Sequence, residues 1–244
     1  MIPRPTSLAS AQAVIFFGPG TQVQGARVLR ALPEEILAQF DGEPVLSAPS
    51  QGPLQLQVNI PGFVVPTIVL RRLDGNAQLT IGPQRADLVA PTGQLGGTLQ
   101  AFLTAASETL LTVRRVLNAR VPRLAAIAHR YRAVPNPALA LAEQFCRPQL
   151  MQQGPLNRPE TFELHAHKVF RTGFGLEVNS WVRNRSAVVA ATNTPVVSVE
   201  QDMNTLDDGT ADRDDETIST FFRGIAGELD QALALYYPTV PVGP

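Results

Sequence analysis

Three residues of the segment "FELHAHK" have the types and spacing for metal chemistry. Glu163, His165 and His167 alternate with Phe162, Leu164 and Ala166. A strand puts every second side chain on one face, so the carboxylate and both imidazoles would share a face. Two histidines and a carboxylate are a plausible metal set, given a fourth group or an open position. The same alternation is that of an ordinary amphipathic strand, with a solvated polar face over an apolar one. His129 offers a second possibility. It shares a strand face with Ile127 and Tyr131, where it can act as a proton carrier or as hydrogen-bonded structure.

The third group is cationic. Arg114, Arg115, Arg120, Arg123, Arg130 and Arg132 place six positive charges within 19 residues. Such a stretch suits phosphates or an acidic partner. The chain supplies acid of its own: residues 200–216, "EQDMNTLDDGTADRDDE", hold eight acids and one arginine. The plainer expectation is that the two stretches pair within the protein or are independently solvated. The acidic run is not an EF-hand. Counted from Asp202, the fifth and sixth positions are Leu206 and Asp207; counted from Asp207, the fifth is Ala211. Neither register gives the ligands and glycine the loop needs.

The motifs of common enzymes are missing. "GPGTQVQG" (18–25) follows a strand and precedes a helix but is not G-x-G-x-x-G, and there is no G-K-[ST] or G-x-S-x-G. The single cysteine, Cys146, excludes an internal disulfide and any cysteine-based zinc cluster. The sequence therefore points to no cofactor, no catalytic residue and a non-catalytic role.

These residues must be carried by some fold. The 244 residues, 44% hydrophobic and 17% charged with net charge −1, are ordinary for a globular protein and argue against a general coat for nucleic acid. No apolar run reaches the roughly 18 residues of a membrane helix, and "AVIFF" is too short for a signal-peptide core. A cytoplasmic location is expected. The bias of 19 Arg to one Lys is what a GC-rich genome produces.

Residues 11–17 read as a strand. Helical spacing follows through "ARVLRALPEEILAQF", with Pro33 placed to open a new first turn and Glu34 and Glu35 suited to it. Strands are expected at 54–60, 67–73, 77–81 and 86–90, with Asp74-Gly75-Asn76 turning a hairpin. Helical spacing returns over 95–117. The second run begins with a strand at 122–134. A helix opens on Asn136 and Pro137. Strands follow at 161–170, 175–182, 186–192 and 195–203. A long helix over 215–237 closes the run, with Asp214, Asp215 and Glu216 at its start.

The order strand, helix, strands, helix thus occurs twice, in residues 1–118 and 119–244. The expected fold class is α+β: two pseudo-repeated halves, each a curved antiparallel sheet covered by a long helix. Helix-grip domains use similar units, an analogy of fold only. The halves form two domains or one continuous one.

The segment "VPRLAAIAHRYRAVPNP" (121–137) resembles the central motif of a sporadically distributed family of bacterial proteins of about this size. The residues carrying the resemblance are Val121, Arg123, Leu124, Ile127, Arg130, Tyr131 and Asn136, in a "v-R-l-x-x-R-Y-x-N" type pattern. "VVSVEQDMN" (196–204) is similar to the family's acid-ended strand, and "LALYYP" to its aromatic-rich end. The family has no established activity. The resemblance implies a soluble single chain of mobile or defence-related loci, such as a toxin-antitoxin pair, and no catalytic residues.

Three functions are open on these grounds. One is binding of a macromolecular partner, most simply another protein. Another is a small apolar ligand held between helix and sheet, with Phe102, Phe174, Trp181, Phe221 and Phe222 as lining. The last is nucleic-acid binding through residues 114–132. Partly exposed sheet edges also allow a homodimer.

Overall fold

A computed structural model of the chain describes residues 4–5, 7–47, 67–91, 97–151, 159–206 and 211–237. The apolar and β-branched run of the N-terminal segment forms β1 (Ser7–Phe16). Helix α1 (Gly25–Ala31) and the single turn α2 (Glu34–Leu37) follow, with Pro33 as the N-cap of α2. Then come β2 (Val45–Ser47), β3 (Thr67–Arg71), β4 (Gln78–Ile81) and β5 (Arg85–Ala90). Gly75, at φ +72°, turns the β3–β4 hairpin. Helix α3 (Leu99–Leu117) starts where Thr98 Oγ1 accepts a bond from Ala101 N at 3.1 Å, and it ends at left-handed Asn118.

The second run is β6 (Arg123–Ala133), α4 (Pro137–Phe145), α5 (Pro148–Met151), β7 (Glu163–Arg171), β8 (Glu177–Val189), β9 (Thr194–Thr205) and α6 (Asp215–Tyr236). Asn136 caps α4, and Asp214 caps α6 by accepting from Thr217 N at 2.8 Å. Cys146 is the half-buried C-cap residue of α4. Three details depart from the sequence reading. The segments 175–182 and 186–192 belong to one strand, β8, and neither the three-residue β2 nor the short α5 was anticipated. The strand expected at 54–60 lies outside the described residues.

The nine strands among the described residues form one antiparallel sheet in the order β2-β3-β4-β5-β1-β6-β9-β8-β7. This corrects the expected fold of two curved sheets, each with its own covering helix. The seam is the β1–β6 pair, in register from Ser7↔Tyr131 to Phe16↔Arg123. Strand β1 also pairs with β5, and β6 with β9, so no free edge remains between the halves. The covering layer is continuous too, because α3 packs directly on α6.

Small residues make that layer possible. Ala11, Ala13, Ala126 and Ala128 line the helix side of the seam with no exposure, so the helices sit close to the sheet. Phe102 of α3 and Phe221 and Phe222 of α6 fill the space between. Fully burying each such ring contributes about 1.5–3 kcal/mol. Gly224 admits the Phe174 ring against α6, where a Cβ would collide with it. Helices α1, α2, α3, α4 and α6 all contribute to cores on this one face. The opposite face carries none of those five.

Candidate functional site

The pleat sends alternate residues of β6, β9, β8 and β7 to the face opposite the helices. The registers then set these residues in rows. One row reads His129, Glu200, Arg183, His165. The next reads Ile127, Asp202, Trp181, His167. A third reads Tyr131, Ser198, Arg185, Glu163.

Glu200 is the hub, its side chain only 7% exposed. Arg183 Nη1 donates to its Oε1, and Arg185 Nη2 to its Oε2 at 2.9 Å. His129 Nδ1 stands 3.8 Å from Oε2. Burial pushes the His129 imidazole below its ordinary pKa; Arg185 and Arg183 push the same way, and Glu200 opposes them. Asp202, one pleat along, has its pKa raised, chiefly by burial, although Asn204 Nδ2 donates to Oδ1 at 3.0 Å. Each oxygen of Glu200 thus accepts a charge-assisted bond from a different arginine.

The metal candidates lie at the rim of this face and do not converge. His165 Nε2 donates to Glu163 Oε1 at 2.7 Å, and this bond holds the Glu163 carboxyl below its usual range. His167 instead donates to Asn179 Oδ1 and stacks on Trp181, ring centres 4.2 Å apart and planes 18° apart. Among the described residues no group of three His, Cys, Asp or Glu is placed to hold a metal ion.

The six arginines of 114–132 are dispersed rather than gathered into one patch. Arg114 and Arg115 both bond Asp215 at 2.6 Å, binding the end of α3 to the start of α6. Arg114 also reaches Asp212 at 3.5 Å, and Asp212 Oδ1 accepts from Val121 N. The basic and acidic stretches therefore meet inside the protein at these residues. Arg120 lies at the end of β1, against the turn after that strand. Arg123 lies on the polar face, its guanidinium 4.6 Å from the Phe16 ring centre. Arg130 is on the helix face, bonding Gln201 Oε1 at 3.2 Å and Asp230 Oδ1 at 2.8 Å. Arg132 donates to Arg4 O at 3.2 Å.

Two adjoining clefts of about 460 and 580 Å³ flank the "GPGT" turn at the end of β1. They share Pro19, Gly20, Thr21 and Arg120. The five aromatics considered as a ligand lining are elsewhere. Phe102, Phe221 and Phe222 are solid core, Phe174 packs edge-on to Phe221, and Trp181 is on the opposite face.

The hub itself was missed in the sequence. Its signal is there in outline: Arg183 and Arg185 on one strand, Glu200 and Asp202 on another, each pair at a spacing of two. Only the register brings the pairs together.

Fold and face define an α+β protein of one antiparallel sheet, with its main helices on one side and a polar, aromatic-bearing surface on the other. No family model matches the chain, and no curated protein matches it. Among the described residues no helix is long and apolar enough to cross a membrane.

Proposed function

We propose that the protein is a non-catalytic interaction protein that binds another protein through the polar face of β6, β9, β8 and β7. One observation carries this reading. With the packed helices on one side, the other side presents Trp181, Tyr131, Arg183 and Arg185 around an internal ion-paired hub. Aromatic residues and arginine are the types that dominate binding energy at protein interfaces. The hub fixes the arginine side chains in advance, which lowers the entropic cost of docking. A cytoplasmic role beside a partner from a defence or toxin-antitoxin locus is the concrete form, and rests on the resemblance of the 121–137 segment.

Nucleic acid is the less favoured partner. Arg114, Arg115 and Arg130 are already paired to Asp215 and Asp230, and the remaining cations of 114–132 divide between the two faces and one end of the sheet.

The test is a pull-down from the native host with mass spectrometry of the complex. Wild type is expected to retain one stoichiometric protein, and Trp181→Ala and Arg185→Ala, checked by circular dichroism, to lose it. An empty wild-type pull-down, or a partner that both variants keep, overturns the assignment.

A further inference from the structure

The geometry of β7 points to a second interface, one for another copy of this chain. We propose that two copies join their β7 strands antiparallel about a two-fold axis at His167, so that one sheet runs through both. This goes beyond the polar-face reading and does not depend on it.

Strand β7 is the last in the sheet, and among the described residues its outer edge has no partner. It is nine residues long, whereas β2 at the other end has three. The direction of its backbone groups follows from two bonds to the neighbouring strand. Ser186 N donates to Phe162 O at 2.9 Å, and Thr172 N to Leu176 O at 2.8 Å. In an antiparallel ladder such bonding alternates along the strand. The even-numbered residues of β7 therefore face β8. The odd-numbered ones, Glu163, His165, His167, Val169 and Arg171, turn their N–H and C=O outward. All five are exposed.

That parity restricts the register with a second copy, because outward residues must meet outward residues. Centred on His167, Glu163 of each copy stands opposite Arg171 of the other, and His165 opposite Val169. On the helix side Leu164 meets Phe170, and Ala166 leaves room for Lys168. The two neighbouring allowed registers are worse. One sets Lys168 opposite its own copy and His165 opposite Arg171. The other sets His165 opposite His167 and leaves Arg171 outside the strand pair. Only the centred register gives opposite charges at both ends. Arg171 makes no ion pair among the described residues, so it is available for this one. The pairing would add about ten backbone hydrogen bonds. A long unpaired edge of this kind is a template for a further strand unless something blunts it.

The 244-residue chain can be tested by sedimentation from about 1 to about 100 μM. Wild type is expected to reach twice the 26.3 kDa chain mass. Glu163→Arg sets arginine against arginine at both ends, and Arg171→Glu sets glutamate against glutamate. Each variant alone should dimerise about tenfold or more weakly. Mixed in equal amounts they should form a heterodimer, because every end pair is then opposite in charge. A wild-type monomer throughout the range overturns the proposal. So does a dimer indifferent to both reversals, or a mixture no more associated than its components.

Discussion

On one side of β9, Val197, Val199 and Met203 have no exposure and pack into the helix-covered core. On the other, Glu200 and Asn204 are nearly as buried but polar, and are held by Arg183, Arg185, Asp202 and Asn179. One strand thus carries two kinds of order. The helix side is stabilised mainly by removal of apolar area from water, which is large and does not depend on pH, with Gln201 as a polar insertion bonded to Arg130 and Leu229 O. The polar side is stabilised by charge-assisted hydrogen bonds, whose gain is offset by desolvation. The difference suggests a division of labour, with the helix side supplying stability and the polar side supplying specificity.

The largest expected effect comes from breaking the helix side. Phe221 is fully buried in contact with Phe222 and Phe174. Phe221→Ala should cost about 3–5 kcal/mol, because the vacated space cannot be refilled by neighbours fixed on two helices and a sheet. Chemical denaturation measures this directly. A loss under about 1 kcal/mol would mean that this side is not the tightly packed one.

Next in size is the hub. Glu200→Ala leaves Arg183 and Arg185 without their carboxylate, but their side chains are 32% and 42% exposed and water can replace part of the bond. A loss of about 1–3 kcal/mol is expected by the same measurement. If it equals the Phe221→Ala loss, the two sides do not differ in the way described.

A smaller effect is the pH dependence that the polar side carries. Burial raises the Asp202 pKa, so the folded protein holds this proton more tightly than the unfolded chain does. Stability must then fall as pH rises from the unfolded value of about 4 through the folded one. Asp202→Asn removes that slope and should raise stability at pH 7 by up to about 1 kcal/mol. His129 acts in the opposite direction. Its pKa is lowered, so the unfolded chain takes the proton first and stability is lost as pH falls below about 6.5. Denaturation curves from pH 4 to pH 8 resolve both. An Asp202→Asn curve parallel to wild type would remove the carboxylate from this account.

How much of this could be read from the chain depends on the range of the interaction. Alternation in "PRLAAIAHRYRAV" and "PVVSVEQDM" gave β6 and β9, and Asn136-Pro137 gave the start of α4, because those signals are local. Alternation says which face a residue takes and not which strand lies beside it. The β1–β6 seam joins residues more than a hundred positions apart, so two sheets and one were equally compatible with the pattern. The polar run Arg183-Asn184-Arg185 falls between the strands expected at 175–182 and 186–192. In the structure the arginines point to Glu200, while Asn184 points the other way and accepts from the buried Tyr237 hydroxyl at 2.6 Å. The Glu163, His165 and His167 alternation was read correctly as sharing one face. Convergence on a metal is a further condition, and Asn179 and Trp181 on the neighbouring strand draw His167 away.

The smallest effect on stability should come with a large effect on binding, and Tyr131 is the residue on which to look for it. Its side of β6 belongs to the polar face, one pleat from His129, and it is 36% exposed. No core cluster includes it. Tyr131→Ala removes a ring that is already partly in water, so the denaturation midpoint should shift by no more than about 0.5 kcal/mol equivalent. A tyrosine of this kind, rigid and half-hydrated, gives its contact area to a partner at little cost in side-chain entropy. If the polar face is the interface, the same substitution should weaken capture of the partner by about tenfold or more. Equal and small effects on both would place the interface elsewhere on the molecule. A large loss of stability would show that this end of the face is structural, and would narrow the binding surface to the rows of Trp181 and Arg183.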